Sequence, residues 1–245
     1  MTLERVFHAD WEALGETYRR EGALVLRGAV DPVFMAYLEA CLASAPGRRS
    51  HGTDIAYQAV PEYVLDEFSR AISTLTGEPL DKVVVVNNWF MTYFEDFHTR
   101  HIDDYWEQHV LLIMLRVPER ADGRKSVLQL FNSLQELPGK SGSLERHRFL
   151  RAQEKRFFAR APCASVRLEA GDAVLANVGE LYHERLLPAG TVHFRLGANT
   201  HGAEHAINRD EMMILNSSPV PPHPVPERLR TLFPEVAGPR RYHVA

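Results

Sequence analysis

The sequence is poor in several features that mark whole classes of protein. Its 245 residues include only two cysteines, Cys41 and Cys163, which lie far apart and form no CxxC pair; free thiols in a reducing cytoplasm are the simplest interpretation. No apolar run approaches the roughly 20 residues that span a bilayer. The opening residues, MTLERVFHAD, lack the apolar stretch of a secretion signal. We therefore expect a soluble, cytoplasmic protein that has no membrane partner.

An excess of positive charge is also missing. The chain has 28 lysines and arginines against 32 aspartates and glutamates, a net charge of -4, and its pI is about 6.3. Such a chain has no general basic field that would hold nucleic acid or an anionic membrane. The phosphate-binding patterns GxxxxGK and GxGxxG are absent as well. Nucleic acid is therefore not an expected partner.

Helix signals dominate the first eighty residues. The segment DWEALGETYRREG begins at Asp10, a suitable N-cap, and ends at Gly22, a suitable C-cap. A second helix is expected after Asp31, because Pro32 then occupies the first helical position. The short apolar run ALVLRG between them predicts a strand, and PEYVLDEFSRAISTLTG predicts a third helix.

Strand signals dominate from Leu80 onward. Six segments are rich in β-branched and aromatic residues: DKVVVVNNWFMTYF, HVLLIMLRVP, SVLQLFNS, SVRLEAGDAVLANV, TVHFRLGANT and EMMILNSS. The basic segment SLERHRFLRAQEKRFFARAP predicts an inserted helix. Strands without alternating helices favour an antiparallel sandwich or jelly roll. We expect one domain over 1–245, with helical support at 1–80, a jelly-roll core at 81–218 and a Pro-rich wrap or lid at 219–245.

An HxD triplet, His101-Ile102-Asp103, lies between two strong strand candidates. Residues i and i+2 of a strand point to the same face, so both side chains can reach one ion. The triplet is common by composition, and a second copy, His8-Ala9-Asp10, ends at a helix cap with a structural role. A solvated turn is the alternative interpretation of the cluster around His101.

A second group of candidates lies downstream. Gly171 and Asp172 predict a turn before the strand AVLANV; His183 is expected on the next bend, and Arg195 lies inside the strand TVHFRLGA. An arginine is rarely buried without a partner, and its planar fork suits a carboxylate. The alternative for His183 is a core or rim histidine. Asn177 and Glu180 are expected to be turn residues.

Two histidines and one carboxylate on a rigid scaffold match the facial triad of non-haem Fe(II) oxygenases. That triad leaves three coordination positions open, so a bidentate co-substrate can fill two and dioxygen the third. An arginine would then hold the far carboxylate of the co-substrate.

The order HxD, then His, then Arg resembles the iron(II)- and 2-oxoglutarate-dependent dioxygenases. The segment EGALVLRGAVDP resembles their phytanoyl-CoA-hydroxylase-like branch, in which a glycine-led apolar strand precedes a helix that starts with Asp-Pro. The resemblance covers roughly residues 20–215. It implies a double-stranded β-helix with Fe(II) bound by His101, Asp103 and His183. It also implies that Arg195 binds the C5 carboxylate of 2-oxoglutarate.

The resemblance further implies a reaction. Dioxygen and 2-oxoglutarate are consumed, succinate and carbon dioxide are released, and an unactivated C–H bond of a small organic substrate is hydroxylated. The expected substrate is a metabolite or natural-product intermediate, and small amino-acid-like molecules, carrier-bound acyl groups and terpenoid scaffolds all stay open. Desaturation and ring formation stay open. Halogenation is disfavoured because halogenating relatives lack the carboxylate ligand, and Asp103 occupies that place.

Further candidates come from the same resemblance. Many relatives have a serine where this chain has Gly197, so Tyr93 is the candidate for a second contact to 2-oxoglutarate; an ordinary core tyrosine is the alternative. Four other residues are candidates for substrate contacts: Asp104, Trp106, Asn199 and His201. The alternative interpretation of Asp104 is a solvated acid.

Other interpretations of the chain are a cupin-like metal-binding isomerase and a non-catalytic jelly-roll binding module. Cupins usually supply a dense HxH cluster on one strand, which is absent here. His201, Glu204 and His205 fit the HxxEH order of an inverted zinc protease, but their segment contains Gly and follows a strand, whereas that chemistry needs a helix. A purely structural protein would leave Arg195 without a reason inside an apolar strand.

Overall fold

The computed structural model describes residues 6–44, 48–50, 53–57, 60–103, 107–119, 123 and 126–201. Its helices are α1 (Trp11–Glu21), α2 (Pro32–Leu42), α3 (Glu62–Thr76) and α4 (Leu144–Phe158). Its strands are β1 (Ala23–Leu26), β2 (Arg48–Ser50), β3 (Thr53–Tyr57), β4 (Val84–Tyr93), β5 (Phe97–His101), β6 (His109–Arg116), β7 (Val127–Leu130), β8 (Ala164–Arg167), β9 (Ala173–Asn177), β10 (His183–Leu187) and β11 (Val192–Asn199). Two short 3-10 helices cover Leu80–Lys82 and Leu134–Glu136. Within these residues no helix has the length and apolar character needed to cross a membrane.

The predicted helix caps are confirmed. The carboxylate of Asp10 accepts a hydrogen bond from the Ala13 amide at 3.1 Å, and α1 ends at Gly22, whose φ of 73° is left-handed. Asp31 caps α2 through the amides of the first turn, with Pro32 as the first helical residue. These side chains satisfy backbone groups that a helix end leaves without partners. Local sequence alone therefore fixes where α1 and α2 begin.

The strands form two antiparallel sheets. Seven strands pair in the order β1-β9-β6-β11-β4-β3-β2, and four pair in the order β5-β10-β7-β8. The predicted mainly antiparallel β architecture with an inserted helix is confirmed. Non-consecutive strands lie side by side in both sheets, so residues distant in sequence become neighbours.

The seven-stranded sheet has two faces that we name by what covers them. The helix face packs against α1, α2 and α3, and its core includes Leu111 and Phe194 together with Phe34 and Tyr37. The pocket face carries the alternate residues, and it packs with β7 and β10 of the smaller sheet. Successive side chains of a strand point to opposite faces, which explains why β6 and β9 read as continuous apolar runs.

Three details differ from the sequence-based expectation. The first eighty residues contain not one strand but three, because β2 and β3 form a hairpin that extends the sheet next to β4. His183 is the first residue of β10 and does not lie on a bend. His101 ends a strand of its own, β5, whose sequence FHTRH has no apolar alternation to predict it. The segment EMMILNSS and the Pro-rich 219–245 lie outside the described residues.

Candidate metal centre

Strand pairing brings the two predicted histidine ligands together. His101 on β5 and His183 on β10 are direct cross-strand partners, and their ring centroids lie 4.3 Å apart. Directly opposed residues of an antiparallel pair project to the same face. Asp103 lies just beyond β5, where its amide donates to the carbonyl of Val178 at 3.0 Å. One ligand atom from each of the three residues lies within 4.8 Å of the others.

His183 is held in the form that binds a metal. Its Nδ1 donates to the carbonyl of Leu181 at 3.0 Å, because a carbonyl can only accept. The proton is therefore on Nδ1 and the lone pair on Nε2, as is usual for a ligating histidine. Burial lowers the pKa of His183 to about 3, with the neighbouring His101 and Arg185 acting in the same direction and Asp103 opposing them. The imidazole is neutral at physiological pH.

His101 and Asp103 face each other across a short gap. His101 Nε2 lies 2.8 Å from Asp103 Oδ1, and His101 Nδ1 lies 3.1 Å from Thr99 Oγ1. A cation bound between Nε2 and Oδ1 would replace the proton that joins these two atoms in its absence, with Nδ1 then donating to Thr99. Burial would raise the pKa of Asp103, but Arg195, the hydrogen bond from His101, and the nearby His183 and Arg185 hold it well below its usual range.

The donor set fits a divalent first-row transition metal. Two imidazole nitrogens and one ionised carboxylate oxygen converge, and such a set leaves coordination positions for other ligands. In the described part of the chain, these three are also the residues whose donor atoms cluster closely enough to hold an ion. The solvated-turn interpretation of His101 and Asp103 does not fit this geometry.

Arg195 is buried on the pocket face of β11 and has two carboxylate partners. Its Nη2 donates to Asp103 Oδ2 at 3.0 Å and its Nε to Glu107 Oε1 at 2.8 Å, while its guanidinium carbon lies 5.5 Å from the Trp89 ring centroid. Burial lowers the pKa of Arg195, but Glu107 and Asp103 outweigh it and raise the pKa. The expectation that a buried arginine needs a carboxylate is thus met within the chain. Its contact to 2-oxoglutarate stays a prediction.

Two residues of the site were missed in the sequence. Arg185 lies two positions after His183 on β10, and its Nη2 is 3.3 Å from His101 Nε2. Residues i and i+2 of a strand point to the same face, so its spacing from His183 could have predicted that Arg185 faces the site. The spacing was not used because His183 was expected on a bend. Glu107 is the buried partner of Arg195. Its only signal was that a buried arginine requires an acid somewhere in the fold.

A cavity between the two sheets adjoins the triad. Its polar residues are Asp103, His183, Arg185 and Arg195. Its walls are apolar and come from β6, β7, β9 and the segment that follows β9: Val110, Leu112, Leu128, Leu130, Val174, Ala176, Val178 and Leu181. Charged and apolar side chains thus line the same cavity, where electrostatic attraction is stronger than in water.

The remaining candidates lie in different places. Tyr93 is buried, its hydroxyl contacts Met91 Sδ at 3.7 Å, and burial raises its pKa. Asn199 is buried and accepts a hydrogen bond from the amide of His201 at 3.1 Å. His201 lines a second cavity of about 270 Å³, to which the triad does not contribute. Asp104 and Trp106 lie outside the described residues, as do Glu204 and His205.

Asn177 and Glu180 form a turn, as expected. The backbone amides of Glu180 and Leu181 donate to the Asn177 carbonyl. The Glu180 carboxylate accepts hydrogen bonds from Ser141, Gly142 and the Asn177 side chain. Glu180 therefore ties the loop before α4 to the turn that leads into His183, and it is not a metal ligand.

Neither a family model nor a curated protein matches the sequence. Solved structures do resemble the fold. The α-ketoglutarate-dependent carbocyclase SnoK of nogalamycin biosynthesis has a TM-score of 0.55 at 15% identity, over 91% of this chain and 95% of that one. An oxidoreductase of the 2OG-Fe(II) oxygenase family from Burkholderia pseudomallei has a TM-score of 0.54 at 12% identity, over 81% and 94%.

The α-ketoglutarate-dependent epimerase SnoN, from the same biosynthesis as SnoK, has a TM-score of 0.54 at 15% identity, over 77% of this chain and 80% of that one. SnoN has also been solved in complex with Fe3+, α-ketoglutarate and nogalamycin RO. At identities this low the similarity is one of fold. The chain therefore has the fold that these non-haem, 2-oxoglutarate-dependent enzymes share.

Proposed function

We propose that this chain is an Fe(II)- and 2-oxoglutarate-dependent oxygenase that hydroxylates an unactivated C–H bond of a small organic molecule. The observation that carries the proposal is the convergence of two imidazoles and one ionised carboxylate, with one ligand atom of each within 4.8 Å of the others, inside a fold shared with 2-oxoglutarate-dependent enzymes. Bound Fe(II) with 2-oxoglutarate and dioxygen would supply the oxidising power, with succinate and carbon dioxide as co-products.

Each residue of the triad has a defined part in this proposal. Nε2 of His101, Nε2 of His183 and a carboxylate oxygen of Asp103 would hold the iron. The carbonyl of Leu181 orients the His183 ring by accepting from Nδ1. Such supporting contacts typically change metal affinity or activity by about 10–100-fold when they are lost.

Arg195 is proposed to bind the C5 carboxylate of 2-oxoglutarate. Its partner Glu107 then competes with the co-substrate for the same guanidinium, since the Nε of Arg195 already donates to Glu107. Tyr93 is proposed as the second contact, because its buried position on β4 lies close enough to Asp103, Arg185 and Arg195 for their charges to act on its hydroxyl. Asp104, Trp106, Asn199 and His201 stay proposals for substrate contacts.

The proposed fold is a double-stranded β-helix of the phytanoyl-CoA-hydroxylase-like branch, in one cytoplasmic domain. Two antiparallel sheets enclosing the candidate centre support the first part. The strand β1 followed by the Asp31-capped α2 supports the second. A natural-product-like substrate is supported by SnoK and SnoN, which act in nogalamycin biosynthesis. The carbocyclase and epimerase activities of these neighbours make product analysis necessary to establish hydroxylation.

The deciding experiment is anaerobic addition of Fe(II) and 2-oxoglutarate, followed by visible spectroscopy. Bidentate chelation of the iron by the 2-oxoacid produces a metal-to-ligand charge-transfer band. A cupin-like isomerase or a jelly-roll binding module would take up metal without that band. Full metallation with no band on adding 2-oxoglutarate would refute the proposed function.

The same band measures the role of Arg195. Removing one partner of a buried charge pair typically costs about 2–5 kcal/mol, and about 1.4 kcal/mol is a factor of ten in affinity. Arg195→Ala is therefore expected to weaken 2-oxoglutarate binding by tens- to thousands-fold, and Arg195→Lys to recover part of the loss. Metal content should persist, because the guanidinium is not a ligand.

Glu107→Gln is the matched control for Arg195, because it removes the competing carboxylate and keeps the guanidinium. It is expected to tighten 2-oxoglutarate binding. Equal affinities in the wild type and in the Arg195→Ala and Arg195→Lys variants would mean that Arg195 is a structural arginine and that the co-substrate is anchored elsewhere.

A further inference from the structure

Arg185 is a buried guanidinium whose hydrogen-bonding capacity is largely unused. The residue is 6% exposed and lines the cavity beside Asp103 and His183. Its Nη2 contacts His101 Nε2, and its Nε has no hydrogen-bond partner within the described ranges of the chain. Among the residues that the structure describes, the carboxylates of this site pair with Arg195 and His101 and not with Arg185. Because buried arginines normally have an anionic partner, an anion bound in this cavity would supply one.

A metal ion bound at His101 Nε2 would displace the contact that Arg185 Nη2 makes with that nitrogen at 3.3 Å. A lone pair on this nitrogen can accept from the guanidinium or bind a cation, and not both. A bound cation also places a second positive charge next to the guanidinium. An anion bound at the metal would give the guanidinium an acceptor again and neutralise part of the added charge.

We propose that Arg185 binds the C1 carboxylate of the 2-oxoacid co-substrate, the end that lies at the metal; this inference rests on the proposed function. The two arginines come from different sheets, β10 and β11. Arg185 contacts the ligand nitrogen of His101. Arg195 contacts the oxygen of Asp103 that does not face His101, and it continues to Glu107. Arg185 thus binds the C1 carboxylate at the metal, and Arg195 binds the distal C5 carboxylate.

Two 2-oxoacids separate these roles. The compound 2-oxopentanoate has the same five-carbon chain and keto-acid head as 2-oxoglutarate, but it lacks the C5 carboxylate. Both are titrated anaerobically into the Fe(II) protein and followed through the charge-transfer band. Arg185→Gln is expected to weaken both by a similar factor, at least about tenfold. Arg195→Gln is expected to weaken 2-oxoglutarate while leaving 2-oxopentanoate nearly unchanged.

A matched control lies on the neighbouring strand. Arg100 on β5 is about half exposed, and its Nε pairs with Glu184 at 3.0 Å. Arg100 precedes His101 and therefore faces the other side of the sheet. Arg100→Gln removes the same charge from the same region, and both titrations should match the wild type. Arg185→Lys keeps the charge without the fork and should recover part of the affinity for both 2-oxoacids.

Mn(II) binding without any 2-oxoacid, measured by electron paramagnetic resonance, reports on the triad and on folding. Arg185→Gln should bind Mn(II) at least as tightly as the wild type, because a cation beside the site has been removed. If Mn(II) binding were lost, Arg185 would be a structural support of His101 and the assignment would be overturned.

Two further results would overturn the assignment. One is unchanged affinity of Arg185→Gln for both 2-oxoacids, and the other is a loss confined to 2-oxoglutarate. A wild-type protein that binds Mn(II) but shows no band with either 2-oxoacid would instead refute the proposed function, and the role of Arg185 with it.

Discussion

The helix face and the pocket face of the seven-stranded sheet are built from the same strands and differ in chemistry. On β11 the residues of the helix face are all apolar: Val192, Phe194, Leu196 and Ala198. The residues that alternate with them are His193, Arg195, Gly197 and Asn199. Both sets are buried. Burial depth therefore does not distinguish the faces, and the polarity of the buried groups does.

This difference shows what each face contributes. Apolar side chains gain free energy on burial, so the helix face stabilises the fold. Buried polar groups gain little and cost more when they lack partners. His193 is an example, since neither of its ring nitrogens has a hydrogen-bond partner in the part of the chain that the structure describes. Polar groups retained at such a cost on the pocket face are expected to serve the site.

The largest expected effect follows from removing Asp103, the proposed carboxylate ligand on the pocket side. Asp103→Ala should abolish turnover and lower metal affinity by more than the roughly 100-fold upper range of supporting contacts, because it deletes a charged donor. Metal content after dialysis and product formation measure the effect. Asp172→Ala, which removes a buried carboxylate paired with Arg27 outside the triad, should lower stability and leave metal content unchanged. Normal metal content in Asp103→Ala would exclude Asp103 as a ligand.

The second-largest effect is expected on the helix face, as a loss of stability. Phe194 is fully buried, and its ring centroid lies 4.9 Å from that of Phe90. Phe194→Ala is expected to lower the free energy of unfolding by about 3–5 kcal/mol, because it leaves a cavity in a close-packed core. Urea denaturation measures the loss. The folded fraction should bind 2-oxoglutarate as the wild type does; a large change in that affinity would mean that the two faces are not separate in function.

The smallest effect has the opposite sign. His193→Leu on the pocket face replaces an imidazole that has no hydrogen bond to any described residue by an apolar side chain. It should raise the free energy of unfolding by about 1 kcal/mol at pH 8. Activity should fall if the polar face serves the site. A lower stability of the variant at pH 8 would show that His193 has a stabilising partner.

The gain from His193→Leu should grow in acid. Burial, together with Arg185 and Arg195, holds the pKa of His193 well below its usual value. Below about pH 6.5 the unfolded chain therefore binds a proton that the folded chain does not, and the wild type loses stability as the pH falls. The variant lacks this loss. Unfolding curves of both proteins at pH 8, 6 and 5 measure the difference, which should be the same at all three pH values if the folded pKa is normal.

Local sequence determined those features that depend on neighbours along the chain. The caps at Asp10, Gly22 and Asp31 follow from the need to give the backbone groups at helix ends hydrogen-bond partners. The inserted helix α4 was predicted from its composition. The antiparallel class followed from β-rich segments without intervening helices. The HxD spacing and the resemblance to a known family pointed to the three residues that the structure brings together as the candidate metal centre.

Only the tertiary structure decided how distant residues meet. The register that places His101 opposite His183 depends on the pairing of β5 with β10, and β5 carries no apolar alternation that would have predicted it. The same register turned Arg185 toward the site, and the return of the chain before β6 supplied Glu107 to Arg195. Hydrophobic periodicity reports which face of a strand is buried, but it does not report which strand lies beside it. The three candidate ligands could therefore be identified from the sequence, whereas the positions of the charged residues around them were decided by packing.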